Sequence, residues 1–264
     1  MKYEVLVKQV GQQWADFLKP FMCPDENGKC PYDEIGGYLK TQYEGGKKIY
    51  PTEKHDIFRA FRETPMEKLR VVILGTEPYN RPGHANGLAF GSLQQEYKDL
   101  PKSLMAIYEA IEQDVYNGFD QTRPQRTGTP GRPVINNETF IDDWPTQGVL
   151  MLNCALTTEE KQDEAHVAIW KPFTDFVLSN LWRIKRDIVF LAWGNTAIDA
   201  VRYKGSPEND STQPTGGVNI FQAFVLTTEH PTDAIKQKRP WKTDHFSRTN
   251  VIINANSLGE QIRW

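Results

Sequence analysis

Apolar residues fall along this chain in two rhythms. Val10, Trp14, Phe17, Leu18 and Phe21 recur at steps of three and four, as do Leu104, Ile107, Tyr108 and Ile111, and later Phe173, Phe176, Val177, Leu181 and Ile184. That spacing places each set on one face of an α-helix that enters a core. Between the helical stretches lie short apolar runs with no such period: LRVVILG (69–75), GVLMLN (148–153), DIVFLAWG (187–194) and FQAFVLTT (221–228). Continuous apolar runs of this length predict strands buried on both faces, hence an α/β fold with a parallel or largely parallel sheet and helices on both sides. The stretches QTRPQRTGTPGRPVINNET (121–139) and GSPENDSTQPTGG (205–217) are rich in turn formers without periodicity and read as surface loops. Neither marks a domain boundary, and no internal repeat is present.

Composition narrows the picture. At 264 residues, with 39% hydrophobic, 25% charged and 11% aromatic positions, the chain has the make-up of an ordered globule with a substantial core. Lys and Arg total 31 against 34 Asp and Glu, a formal charge of −3, which excludes nucleic-acid binding by bulk attraction and leaves only a local contact. No 18-residue apolar run is present, so no membrane span is expected. The opening MKYEVLVKQVGQQWADF lacks the pattern of a secretion signal, so the expected location is cytoplasmic, or nuclear in a eukaryote. Cys23, Cys30 and Cys154 are odd in number and form no CxxC, and the histidines show no HExxH spacing. Free thiols and no metal are the expectation.

Candidate chemistry collects where the strands end: TEPYN follows the first run, Asn153 closes the second, GNTA follows the third and TEHPT the fourth. In an open parallel sheet these carboxyl ends share one edge, and ligands bind in the crevice there. Glu77, Tyr79, Asn153 and His230 are therefore expected to converge. A carboxylate can orient a water, an amide offers a donor and an acceptor in one plane, and an imidazole can donate to a developing oxyanion. Such a flat edge suits a pyrimidine, against which Phe90 of GLAFGS could stack. A P-loop, a GxGxxG fingerprint and a GxSxG elbow are all absent.

Taken together, IYPTEKHDIFRAFRETPMEKLRVVILG, GTEPYNRPGHANGLAFGS, LPKSLMAIYEA, GVLMLNCALTT, WKPFTDFV, IVFLAWGNTA and HPTDAIKQKRPWKTDHFSRTN resemble, in order and spacing, family 1 uracil-DNA glycosylases over about residues 48–256. The resemblance implies one domain over 1–264, with residues 1–47 as an N-terminal helical extension and a central four-stranded parallel sheet flanked by helices. It implies hydrolysis of the bond between uracil and deoxyribose in DNA, as in base excision repair, without a cofactor. By the same resemblance Glu77 stands where the family has its catalytic aspartate, with Thr76 beside it, and Tyr79 where a tyrosine excludes the methyl group of thymine. Phe90 matches the residue that stacks on the flipped base, Asn153 the one that reads its edge, and His230 the one that stabilises the leaving uracil anion. Ser103 and Thr232 match serines that pinch DNA phosphates, and Ala234 stands where a leucine wedges into the base stack.

Departures cluster at the same positions. Glu77 adds a methylene, a displacement of ~1 Å that can cost on the order of 10²-fold in rate. Ala234, in HPTDAI, offers less apolar surface for extruding a paired base, though Ile235 is adjacent. Thr76 and Asn80 stand for a glutamine and a histidine. Slow turnover and a preference for single-stranded DNA follow. Lys236, Lys238, Arg239 and Lys242 read as a local phosphate-binding stripe or as a solvated basic loop. Arg123, Arg126 and Arg132 lie in the longer loop, where contact with DNA or a partner is open. The expected state is a monomer. A catalytically weak uracil-DNA or modified-pyrimidine binding protein is the alternative reading; a glycosylase for another base fits less well, because Tyr79 disfavours C5 substituents and Asn153 disfavours purines.

Overall fold

The computed structural model describes residues 1–94, 96–116, 141–205 and 224–264. The two loops expected at 121–139 and 205–217, with Arg123, Arg126 and Arg132, lie outside the described residues, apart from the backbone of Gly205, and so do positions 221–223 of the fourth apolar run.

The strands are β1 (Ile49–Tyr50), β2 (Val71–Gly75), β3 (Val149–Asn153), β4 (Thr158–Glu159), β5 (Val189–Trp193) and β6 (Val225–Thr228). The α-helices are α1 (Tyr3–Val10), α2 (Gln12–Met22), α3 (Tyr32–Glu44), α4 (Arg59–Glu63), α5 (Lys102–Asp114), α6 (Val167–Ile184), α7 (Asn195–Gly205), α8 (Pro231–Lys236) and α9 (His245–Ala255). The main sheet has four strands in the order β3-β2-β5-β6, with every neighbouring pair parallel. The four apolar runs thus became the strands of one parallel sheet, with helices between them. All residues of β2, β3 and β5 are buried, whereas β6 lies at the edge and buries only Leu226. Its run of apolar residues reads as a two-face-buried strand, whereas only Leu226 is buried and the other edge strand, β3, is covered throughout.

The chain leaves β2 toward β3 on one side, then returns past β2 to β5 and β6. Connections from β2 and β5 therefore run in opposite directions, and the crevice between their carboxyl ends is the topological switch point at which such sheets bind ligands.

The first helical repeat differs from its expectation. Its periodicity runs unbroken from Val10 to Phe21, but Gly11 adopts φ +81, and the chain breaks into α1 and α2 there. A left-handed backbone that glycine alone adopts without strain interrupts the helix, while the apolar spacing carries on across the break. Leu6, Trp14, Leu18, Phe21 and Ile35 of α1–α3 join the same buried cluster as the sheet and the terminal Trp264. Trp14 Nε1 donates to the Thr64 carbonyl at 2.7 Å, tying these helices to the segment before β2. Cys23, Cys30 and Cys154 are buried free thiols, and among the described residues no helix is long and apolar enough to cross a membrane.

Beneath β5, Trp193 Nε1 donates at 3.0 Å to Nδ1 of His245, which burial pushes down to about 4. The fold thus holds this imidazole neutral, whereas the unfolded chain protonates it near its ordinary value. The contribution is complete above about pH 6.5 and is lost as pH falls toward 4, amounting to up to about 3 kcal/mol. Urea unfolding near pH 7 and pH 4.5 is expected to show a smaller acid loss in His245→Asn than in the wild type; equal losses would refute this account.

Candidate active site

Asn153 is the last residue of β3, and its backbone register partner in β2 is Gly75. The pairing continues past the strands, with Cys154 N donating to Gly75 O and Ala155 N to Thr76 O, each at 2.9 Å. Asn153 is 4% exposed, and its side-chain amide makes no hydrogen bond to another described residue. The amide is not one of the fully enclosed polar groups left without a partner, so it stays within reach of a ligand edge.

Space for that amide comes from Gly75. A Cβ built there lies 2.6 Å from Asn153 Oδ1 and 3.1 and 3.3 Å from Cε2 and Cζ of Phe90. The amide and the aromatic ring therefore share the volume over one missing side chain. Phe90 is 6% exposed and has φ +62, an uncommon left-handed backbone for an aromatic residue. Three bonds hold it there: Tyr79 Oη donates to Phe90 O at 3.1 Å, Ala89 N to Met151 O at 2.9 Å, and Gly91 N to Leu88 O at 3.1 Å.

His230 closes the opposite side. The Phe90 ring lies 5.5 Å from the His230 ring and 5.1 Å from Trp193. His230 caps α8, with Pro231 at the first helical position, where its missing N–H leaves nothing unpaired. The Thr232 backbone N–H donates to His230 Nδ1 at 3.1 Å. A ring nitrogen that accepts a hydrogen bond carries no proton, so in the neutral imidazole the hydrogen is on Nε2. Burial pushes the His230 pKa down, which favours that neutral form. Gly194, just beyond β5, has φ +97, and a Cβ there would sit 3.0 Å from His230 Cβ. Two glycines at the ends of β2 and β5 thus flank the switch point and let the three side chains close in.

Glu77 and Tyr79 lie on the turn that follows Gly75. Glu77 Oε2 accepts from Thr158 Oγ1 and Oε1 from the Glu164 backbone N–H, each at 2.8 Å. Burial pushes its pKa up, against the lowering effect of these two donors. Each oxygen keeps a lone pair for a water. Tyr79 Oη is also 3.0 Å from Ser103 Oγ, and since its own hydrogen goes to Phe90 O, Ser103 is the donor in that pair.

The expected DNA contacts fare unevenly. Ala234 has no exposed surface and packs into the core, so it cannot wedge between bases; the short helix α8 turns it inward and leaves the neighbouring Ile235 half-buried. Ser103 is 5% exposed, with its hydroxyl spent on Tyr79 rather than offered to a phosphate. Arg239 is exposed but its guanidinium is paired with Glu229. Lys236 and Lys238 are exposed, and Thr232 is half-buried beside His230. Sequence reasoning passed over Gly75, Gly194, Trp193, Thr158 and the Glu164 amide. The glycines at the strand ends were the available signal; a backbone donor leaves none.

The profile of the Uracil DNA glycosylase superfamily matches residues 61–251. The chain is 32% identical over 252 residues to a uracil-DNA glycosylase of Aliivibrio salmonicida (strain LFI1238), covering 95% of this chain and 96% of that protein. It is 33% identical over 220 residues to one from Haemophilus influenzae, covering 83% and 85%. The crystal structure of mimivirus uracil-DNA glycosylase superimposes with a TM-score of 0.69 at 20% identity, over 100% of this chain and 89% of that one, a likeness of fold alone.

Proposed function

Since the chain belongs to the uracil-DNA glycosylase superfamily, we propose that it acts as a family 1 enzyme, a monomer folded as one domain that hydrolyses the N-glycosidic bond of deoxyuridine in DNA. The observation that carries this reading is the convergence of the Asn153 amide, the Phe90 ring and the His230 imidazole over Gly75 and Gly194.

Cleavage leaves a uracil anion and an oxocarbenium-like sugar. In this reading the flipped base stacks on Phe90, and its edge supplies the bonds that Asn153 lacks. Cytosine presents the wrong donor pattern to that amide and leaves buried groups unpaired. Tyr79, held by Phe90 O and Ser103, stands against C5 of the pyrimidine. The His230 Nε2–H donates to O2 as charge develops there, and a donor already in place costs no reorganisation at that moment. Glu77 orients the attacking water and favours the cationic sugar. No step requires a cofactor.

Lys236, Lys238 and Thr232 meet the phosphates, a small basic contact on a protein of net charge −3. With Ala234 buried, little apolar surface is available to extrude a paired base, which supports a preference for single-stranded DNA. Glu77 in place of an aspartate supports turnover slower than that of typical members, and the cytoplasm, or the nucleus in a eukaryote, suits the substrate. Uracil-containing single- and double-stranded oligonucleotides are expected to release free uracil, faster from the single strand. No release from either, unrestored by Glu77→Asp, would sink the enzymatic reading. Tight, salt-dependent binding with the base left attached would point instead to a binding protein.

A further inference from the structure

We propose that Thr158 is a positioning residue for Glu77: its hydroxyl holds one carboxylate oxygen in place and keeps the group ionised for the water it orients. The inference rests on the reading of Glu77 given above. The Thr158 hydroxyl has one hydrogen and two acceptors in range, Glu77 Oε2 at 2.8 Å and the Gln162 carbonyl at 3.3 Å. A bond to a charged acceptor is shorter and stronger, so the carboxylate takes it. With the Glu164 N–H on the other oxygen, the longer side chain of Glu77 is fixed at both ends of its carboxylate.

Thr158 is itself braced. It belongs to β4, which pairs antiparallel with β1, Tyr50 opposite Thr158 and Ile49 opposite Glu159. Tyr50 Oη donates to Glu160 at 3.1 Å, and Lys47 pairs with Glu159 at 2.7 Å. Beyond β4, Asn80 Nδ2 donates to Asp163 at 2.7 Å, and Lys161 N donates to Asn80 O at 3.0 Å, so the same loop is stitched to the turn that carries Glu77. Thr158 has no exposed surface. A small two-stranded sheet beside the main one thereby fixes a hydroxyl against the carboxylate.

The hydroxyl acts against three opposing influences. Burial disfavours the charged form of Glu77, and so do the carboxylates of Asp163 and Glu164 on the loop packed over it. Among the described residues, the Glu164 amide and Thr158 favour ionisation. Without the hydroxyl, Glu77 would take up a proton at higher pH and lose its fixed orientation.

Thr158→Val removes the donor while keeping the shape. The acidic limb of kcat/KM for uracil release is expected to move up by about one pH unit. Carbon-detected NMR of protein labelled at the glutamate carboxyls, with Glu77 assigned by Glu77→Gln, is expected to show its titration moving in the same direction. Thr158→Ser should restore both, and Thr158→Ala is read in the same way should the valine variant not fold. An acidic limb or a Glu77 titration that stays in place overturns the proposal. If Glu77→Gln instead releases uracil at the wild-type rate, it is the catalytic reading of Glu77 that fails.

Discussion

Gly75→Ala is expected to cut uracil release by on the order of 10²-fold or more while leaving the chain folded. The new methyl group would sit 2.6 Å from Asn153 Oδ1, and 3.1 Å from the nearest Phe90 ring atom. Neither neighbour can yield cheaply. Asn153 hangs on a short side chain at the end of a buried strand, and the Phe90 backbone is pinned by Tyr79 and β3. Displacing a reacting or reading group by ~1 Å is enough for a loss of that size. The strain also destabilises the fold, by about 1–3 kcal/mol for an added methyl in a packed site. Release kinetics, together with a thermal melt, check both parts. An alanine variant that releases uracil at the wild-type rate would show that the space over Gly75 is not where the base is read.

His230→Ala removes the donor aimed at the leaving base and is expected to lower kcat by about 10²- to 10³-fold, the usual cost of one such donor. The pH profile carries a sharper signature. The proposed mechanism needs Glu77 ionised and His230 neutral, so on that reading activity falls when either takes up a proton. Burial moves Glu77 up from its ordinary 4.5 and His230 down from its ordinary 6.5, toward each other. Acidification through that window therefore protonates both, and log kcat/KM should fall with a slope above one in the wild type. In His230→Ala the residual activity should lose a single proton's worth of dependence. A wild-type acidic limb of slope one would mean that only one of the two groups matters.

Much of the scaffold was legible because apolar periodicity reports burial directly. The runs ending at Gly75, Asn153, Trp193 and Thr228 became adjacent parallel strands, so the polar residues that follow them start from one edge of the sheet. The illegible parts depend on partners remote in sequence or on the main chain. Nothing local marks Ile49–Tyr50 and Thr158–Glu159 as strands, since their pairing exists only once the fold brings them together. The positions of Ala234 and Ser103 followed from aligned strings, which carry residue type but not facing. The short helix α8 points Ala234 inward, and α5 turns Ser103 toward Tyr79. Glu77 was legible as a carboxylate at a strand end, but its two protein donors were not, one being a hydroxyl 81 positions away and the other a main-chain amide.

Each wall of the crevice hangs from a different strand: Glu77 and Tyr79 after β2, Asn153 on β3, Gly194 after β5, His230 after β6. The strands owe their stability to one another through main-chain bonds and buried apolar faces, not through the residues at their tips. Evolution can therefore retouch one wall while the rest stand. A change confined to one of these loops then becomes an independent mutational step, and selectivity can drift without the scaffold being rebuilt.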